Sequence, residues 1–153
     1  MKTSLTTRLL RTVTVAGALL LSLPAWAADY VGTWKTIDDE SGKPRSKVKI
    51  YEQNGQLFGQ IVHLYRDPGE EPDPVCDECT DSRKDQKVNG MVIITGMSPV
   101  KEYWGNGQIL DPGNGKIYNC TMWLEESDPN TLNVRGDIGL SFLSRTQQWK
   151  RVE

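Results

Sequence analysis

The sequence is poor in the residues that most often carry chemistry: it has one histidine, three cysteines and no cluster of basic residues. Nothing in it has the glycine-rich spacing of a nucleotide loop, and no serine stands in a G-x-S-x-G nucleophile elbow. No stretch carries a period-3.6 amphipathic helix, and past residue 27 no segment is apolar enough to cross a bilayer. What remains is turn-rich and globular in composition, with 14 glycines, five tryptophans and only two phenylalanines.

The first 27 residues read as a secretory leader. Lys2, Arg8 and Arg11 make a positive start, and residues 13–23 form an apolar run of about a dozen residues, the length of a signal-peptide core. A bilayer needs roughly 20 apolar residues, so this run is too short to anchor the chain. Pro24 ends it, and Ala25-Trp26-Ala27 offers the small-x-small site of a signal peptidase. Cleavage after Ala27 is expected, leaving residues 28–153 as one domain in the periplasm or outside the cell. No cysteine stands near the cut to take a lipid, and membrane insertion of the mature protein is not expected. The leader holds three of the 18 basic residues and none of the 20 acidic ones, so its removal takes the net charge from −2 to −5. A mildly acidic domain repels a phosphate backbone, which makes nucleic acid a poor partner.

Past Ala28 the periodicity is two. Residues 30–37, 47–51, 57–65, 91–97, 108–110, 117–124, 132–138 and 142–152 read as strands. Asn54-Gly55 is a type I′ hairpin signal, because both central residues of that turn need positive φ. Asp111-Pro112-Gly113-Asn114-Gly115 and Asp128-Pro129-Asn130 read as further turns. Eight short strands in simple order predict an all-β fold, an eight-stranded antiparallel up-and-down barrel, with a β-sandwich as the competing architecture.

The long connection at residues 66–90 interrupts this order. It holds Pro68, Pro72, Pro74, Cys76, Cys79 and many acidic residues, and suits either a lid over one barrel mouth or an exposed loop. In an exported protein, Cys76 and Cys79 are expected to form a disulfide that stiffens it locally. Three sharper readings compete. A thiol-redox pair wants its first cysteine at a helix start, whereas Thr80-Asp81-Ser82-Arg83-Lys84-Asp85 offers no apolar helix face. A zinc site would recruit Cys120 and His63, and one C-x-x-C without its second half is a weak signal. A Ca²⁺ site on the loop's acidic residues would rest on charge alone, since their spacing matches no EF-hand. Cys120, inside a strand, reads as a buried thiol, with a cross-link to Cys76 or Cys79 as the alternative. His63 reads as an ordinary strand residue, and Asp38, Asp39 and Glu40 as a turn. No catalytic residue, metal or cofactor is assigned.

The aromatic and basic residues carry more information. Gly32-Thr33-Trp34 sets a tryptophan early in the first strand, while Arg145, Gln147, Trp149 and Arg151 share one face of the last. Closure would make those strands neighbours, letting a late arginine lie over Trp34 as a cation–π pair. Gly32, Trp34 and Arg151 are thus a candidate plug for one barrel end.

Gly32-x-Trp34 with a late arginine is similar to the lipocalin signature. A wider pattern runs in order through residues 29–153: Gly32-Thr33-Trp34 to Asp38-Asp39, Ile50-Tyr51-Glu52, Cys76-x-x-Cys79, Ile109-Leu110-Asp111-Pro112-x-Asn114-Gly115-Lys116-x-Tyr118, Val134-Arg135-Gly136 and Arg145-Thr146-Gln147-x-Trp149-x-Arg151. This resembles the bacterial exported family known as domain of unknown function 2147. The resemblance implies a lipocalin-like barrel and an exported location, and no activity. Ser144 stands where a glycine is expected, and the chain lacks the helix that usually precedes a lipocalin's last strand. No ligand class is therefore carried over.

The reading that follows is a non-catalytic binder of a small molecule inside the barrel. Tyr51, Tyr103, Trp104, Tyr118 and Trp123 are its candidate wall residues. Arg135 and Arg145 are the candidate partners for an anionic group, since arginine offers a charged, planar fork. A second reading is an envelope protein with a packed core that acts through its surface, predicting an apolar patch near residues 66–90.

Overall fold

The computed structural model describes residues 27, 29–139 and 143–152, so the expected leader up to Trp26, and Phe142, lie outside the described residues. Eight strands follow in order: β1 (Gly32–Ile37), β2 (Pro44–Gln53), β3 (Gln56–Leu64), β4 (Val92–Val100), β5 (Tyr103–Asp111), β6 (Lys116–Glu125), β7 (Asp128–Asp137) and β8 (Ser144–Arg151). Each pairs antiparallel with the next, and β8 returns to β1, closing the barrel and excluding the sandwich. Closure removes the free strand edges that an open sheet exposes.

Alternation sets the two faces. Val48 and Ile50 on β2, Leu57 and Ile61 on β3, Met122 on β6, Leu132 and Val134 on β7 and Trp149 on β8 are buried on the inner face. Their cross-strand partners agree, with Met122 opposite Val134 and Leu132 opposite Trp149. Burying each such side chain contributes about 1.5–3 kcal/mol. Gly59 keeps the same face open for its neighbours, since a Cβ there would lie 3.1 Å from both Ile94 and Val48.

Three turns bear on the sequence reading. Asn54 and Gly55 have φ of 53° and 79°, as a type I′ hairpin demands. The expected turn at Asp128-Pro129-Asn130 instead begins β7, and the chain reverses at Glu126-Ser127. Proline is tolerated at the start of a strand, where its missing donor breaks little of the ladder. β5 is far longer than the expected 108–110, because Gly105 pairs with Ser98 of β4 and Gly107 with Cys120 of β6, which carries the strand through residues of low strand propensity.

The connection at residues 66–90 is folded onto the barrel. Cys76 and Cys79 are joined by a disulfide. Val75 bridges Lys87, and the Cys76 and Val88 amides donate to the Gln86 and Pro74 carbonyls, both at 2.9 Å. Cys76, Cys79 and Val88 are buried, as are Ile93 and Leu110, two residues that alternation places on the outer face. The segment is seated on the β5–β6 turn: Cys76 Sγ lies 3.5 Å from the Pro112 carbonyl oxygen. Gly115, with φ of 66°, makes room for it, since a Cβ there would fall 2.0 Å from the Glu78 carbonyl oxygen. The segment's outer surface is charged, with Lys87–Asp73 and Arg83–Asp81 ion pairs. Val75 is its one exposed large apolar side chain among the described residues, so no apolar patch forms there.

Candidate functional site at the barrel mouth

The two barrel ends differ in chemistry. At the end formed by the β2–β3, β4–β5 and β6–β7 turns, Trp34, Trp104 and Trp149 are buried at 0%, 1% and 2% exposure. Trp34 Nε1 donates to the Tyr30 carbonyl at 2.9 Å, and the Tyr30 ring meets Trp104 edge-on at 6.1 Å. The Arg151 guanidinium covers Trp34 at 4.2 Å from the ring centroid and donates to the Val31 and Asp29 carbonyls. Gly32 enters this cluster at φ of 142°, in a region that favours glycine. Aromatic rings and one arginine fill this end.

The opposite end grows more polar and more exposed along each strand. On β8 the inward residues run from buried Trp149 through half-buried Gln147 to exposed Arg145. On β6 they run from Met122 through Cys120 to half-buried Tyr118, and on β1 and β2 Trp34 and Val48 give way to Thr36 and Ser46. The Thr36 and Ser46 hydroxyls hydrogen-bond each other at 2.9 Å. Tyr118 packs over Gly136, where a Cβ would lie 3.3 Å from its own, and its hydroxyl accepts from Asn114 Nδ2 at 3.2 Å.

Asp39, from the β1–β2 turn, reaches along the rim of this mouth to the start of neighbouring β8. Arg145 Nε donates to Asp39 Oδ2 at 2.8 Å, its Nη2 donates to Oδ1, and Gln147 Nε2 donates to Oδ1 at 3.3 Å. The Arg145 hydrogen bonds hold the Asp39 carboxyl down at about 2, and the carboxylate in turn raises the Arg145 pKa. The planar fork is thus already filled by an internal carboxylate, in the two-bond geometry arginine prefers.

Of the sequence candidates, Tyr118 and Arg145 meet at this mouth. Trp104 faces inward but lies sealed in the opposite end, and Tyr103 is exposed beside the β4–β5 turn. Tyr51, Trp123 and Arg135 alternate with inward-facing Ile50, Met122 and Val134, so the register puts them on the outer face; they are not walls of the interior. Tyr51 stacks there on Phe58, with ring centroids 5.8 Å apart. The sequence assigned these three by residue type, and barrel register decides the face. It missed Asp39 and Gln147 as mouth residues. Their signal was the shared face of β8 and the acidic turn after β1, legible once those strands are neighbours.

The sulfur chemistry is also fixed. The Cys76–Cys79 bond removes both sulfurs from a zinc set with Cys120 and His63, and His63 is exposed against the Tyr65 ring at 4.7 Å. Cys120 is a free, buried thiol whose pKa burial pushes up to about 12, with a smaller contribution from Asp137.

Residues 32–151 match a bacterial family described as "Uncharacterized protein conserved in bacteria (DUF2147)". The chain belongs to this family. No curated protein matches it by sequence. Among solved structures it is similar to protein HP1028 from Helicobacter pylori, which is described as belonging to the lipocalin family. The two share 17% identity over 80% of this chain and 82% of that one, with a TM-score of 0.66. At that identity the likeness establishes the fold, which is a lipocalin-like, closed, eight-stranded barrel. Membership of the DUF2147 family thus joins a barrel architecture to a chain whose mouth carries Tyr118, Gln147, Arg145 and Asp39.

Proposed function

We propose that this protein is exported, loses its leader after Ala27, and binds a small molecule at the polar mouth of its barrel without catalysing a reaction. The observation that carries this reading is the gradient along the inner wall, from a tryptophan-filled end to a mouth where Tyr118, Gln147 and Arg145 face inward. An apolar floor under a few convergent polar groups is the usual make-up of a small-molecule site. Because Asp39 already occupies the Arg145 fork, an anionic ligand group must displace that carboxylate, and a neutral one binds beside the pair. The test is native mass spectrometry of protein purified from a bacterial periplasm. A small molecule that travels with the wild type and is lost from Tyr118→Ala and Arg145→Gln supports the reading. Ligand-free wild type, or an adduct that survives both substitutions, overturns it.

The filled tryptophan end also favours a second reading, an envelope protein acting through its surface, a charged one rather than the expected apolar patch at residues 66–90. Crosslinking in intact cells that captures one defined envelope protein, together with ligand-free native spectra, would decide for it.

A further inference from the structure

The outer wall carries a second concavity, remote in chemistry from the mouth. It is an open trough of about 620 Å³ crossing β4 to β7, lined by Thr95, Asn106, Gln108, Asn119, Thr121 and Asp137. Backbone irregularity hollows it. Gly96 and Asn106 have φ of 66° and 57°, and the β5–β6 ladder shifts register between Trp104 and Gly107. There β5 is drawn tightly onto β4: a Cβ on Gly107 would fall 2.4 Å from Met97 Sδ and 2.7 Å from the Thr95 carbonyl oxygen. A bulge of this kind bends the strand and re-aims its side chains.

The lining is chemically selective. It offers three carboxamides, two hydroxyls and one carboxylate, without a lysine, an arginine or an aromatic ring. Asp137 is held in place by Gly139 N at 2.8 Å and Asn119 Nδ2 at 3.2 Å, both donating to Oδ1. Those bonds, with a smaller contribution from the Arg135 charge, hold its carboxyl below the ordinary carboxylate range. A carboxamide presents a donor and an acceptor in one plane, and a carboxylate accepts on either oxygen. Adjacent hydroxyls, each both donor and acceptor, complement such a set. A phosphate or carboxylate would meet the Asp137 charge, with the nearest cation, Arg135, standing opposite Thr121 and already acting on Asp137, and a lipid tail would find no large apolar side chain in the lining.

We propose that this trough is a binding site for an uncharged saccharide, separate from the mouth. Gln108 and Thr121 reach it from neighbouring strands, and Asp137 with Asn119 forms its polar anchor. The site is independent of whatever the mouth holds.

The test is a titration of the isotopically labelled full chain with two neutral probes, N-acetylglucosamine tetramer and maltotetraose, followed by backbone amide shifts. Saturable shifts confined to residues 95–96, 106–108, 119–121 and 137 with either probe are expected. Gln108→Leu combined with Thr121→Val should weaken binding by about tenfold, as the loss of two hydrogen-bonding groups implies. Both positions lack a side-chain hydrogen bond among the described residues, and the double variant's unfolding midpoint should stay near that of the wild type. No shift with either probe at about 10 mM, a concentration that would reveal even millimolar affinity, overturns the proposal. So do shifts centred on Tyr118 and Gln147, or unchanged binding by the folded double variant.

Discussion

The guanidinium of Arg151 lies 4.2 Å from the ring centroid of Trp34, so the last strand of the barrel is fastened onto the first by one side chain over another. The same guanidinium donates to the Val31 and Asp29 carbonyls, which ties the chain preceding β1 to β8. A cation–π contact contributes about 0.5–2 kcal/mol, and a charged hydrogen bond about 1.5–3 kcal/mol. Arg151→Ala is expected to destabilise the protein by about 2–4 kcal/mol, and Arg151→Lys to recover part of this. Urea midpoints at an unchanged slope measure both.

Acid should act on the mouth in a defined window. Asp39 is depressed from 3.8 to about 2, so its pair with Arg145 contributes fully above about pH 4 and fades as pH falls through about 2. Both side chains are near half exposed, which limits the contribution to under about 1 kcal/mol. Asp39→Asn should therefore cost that small amount at pH 7 and progressively less as pH falls from about 4 through 2. Denaturant titrations at pH 7, 4 and 2 compare the two proteins, and a gap that does not shrink between pH 4 and 2 would show that the pair is not its source.

The disulfide and the barrel should respond separately to reduction. Closing so short a loop stabilises a fold by about 2 kcal/mol on the chain-entropy model. Replacing Cys76 and Cys79 by serine is expected to remove about that much and to raise amide exchange across residues 75–91. The barrel strands β6 to β8 should keep their protection. Hydrogen exchange by mass spectrometry resolves these regions.

Cys120 provides an internal reporter of global opening. It is 2% exposed and its thiol is pushed up to about 12, so almost no thiolate exists at neutral pH. Iodoacetamide at pH 8 should label it only at the rate at which the barrel unfolds. Rapid labelling of the folded protein would contradict its placement.

The sequence carried the strand number, their order and the neighbouring of β1 and β8, because period-two alternation and turn residues are local signals. Trp34 and Arg151 were legible as a pair for the same reason. The extent of β5 was not: Gly105-Asn106-Gly107 has low strand propensity, and pairing on both sides overrides it. Nor was the face of Tyr51, Trp123 or Arg135. A strand's alternation divides its residues into two sets, and cross-strand register and burial decide which set is inside. Asp39 read as a turn residue because its partner Arg145 is 106 positions away, a relation created only by closure. The seat of residues 66–90 on Gly115 was likewise silent, since a close backbone approach leaves only a glycine behind.

The seam between β1 and β8 is short, its register covering Trp34 with Arg151 and Lys35 with Lys150, extended by Val152 N donating to the Thr33 carbonyl. Every other strand pair joins sequence neighbours, whereas this one must bring the two ends of the fold together, the slowest kind of contact to form. While it is open, β1 and β8 are bare edges, each able to pair with the complementary edge of another copy. The clasp of Arg151 on Trp34 thus does more than plug an end: it holds those two edges paired to each other within one chain.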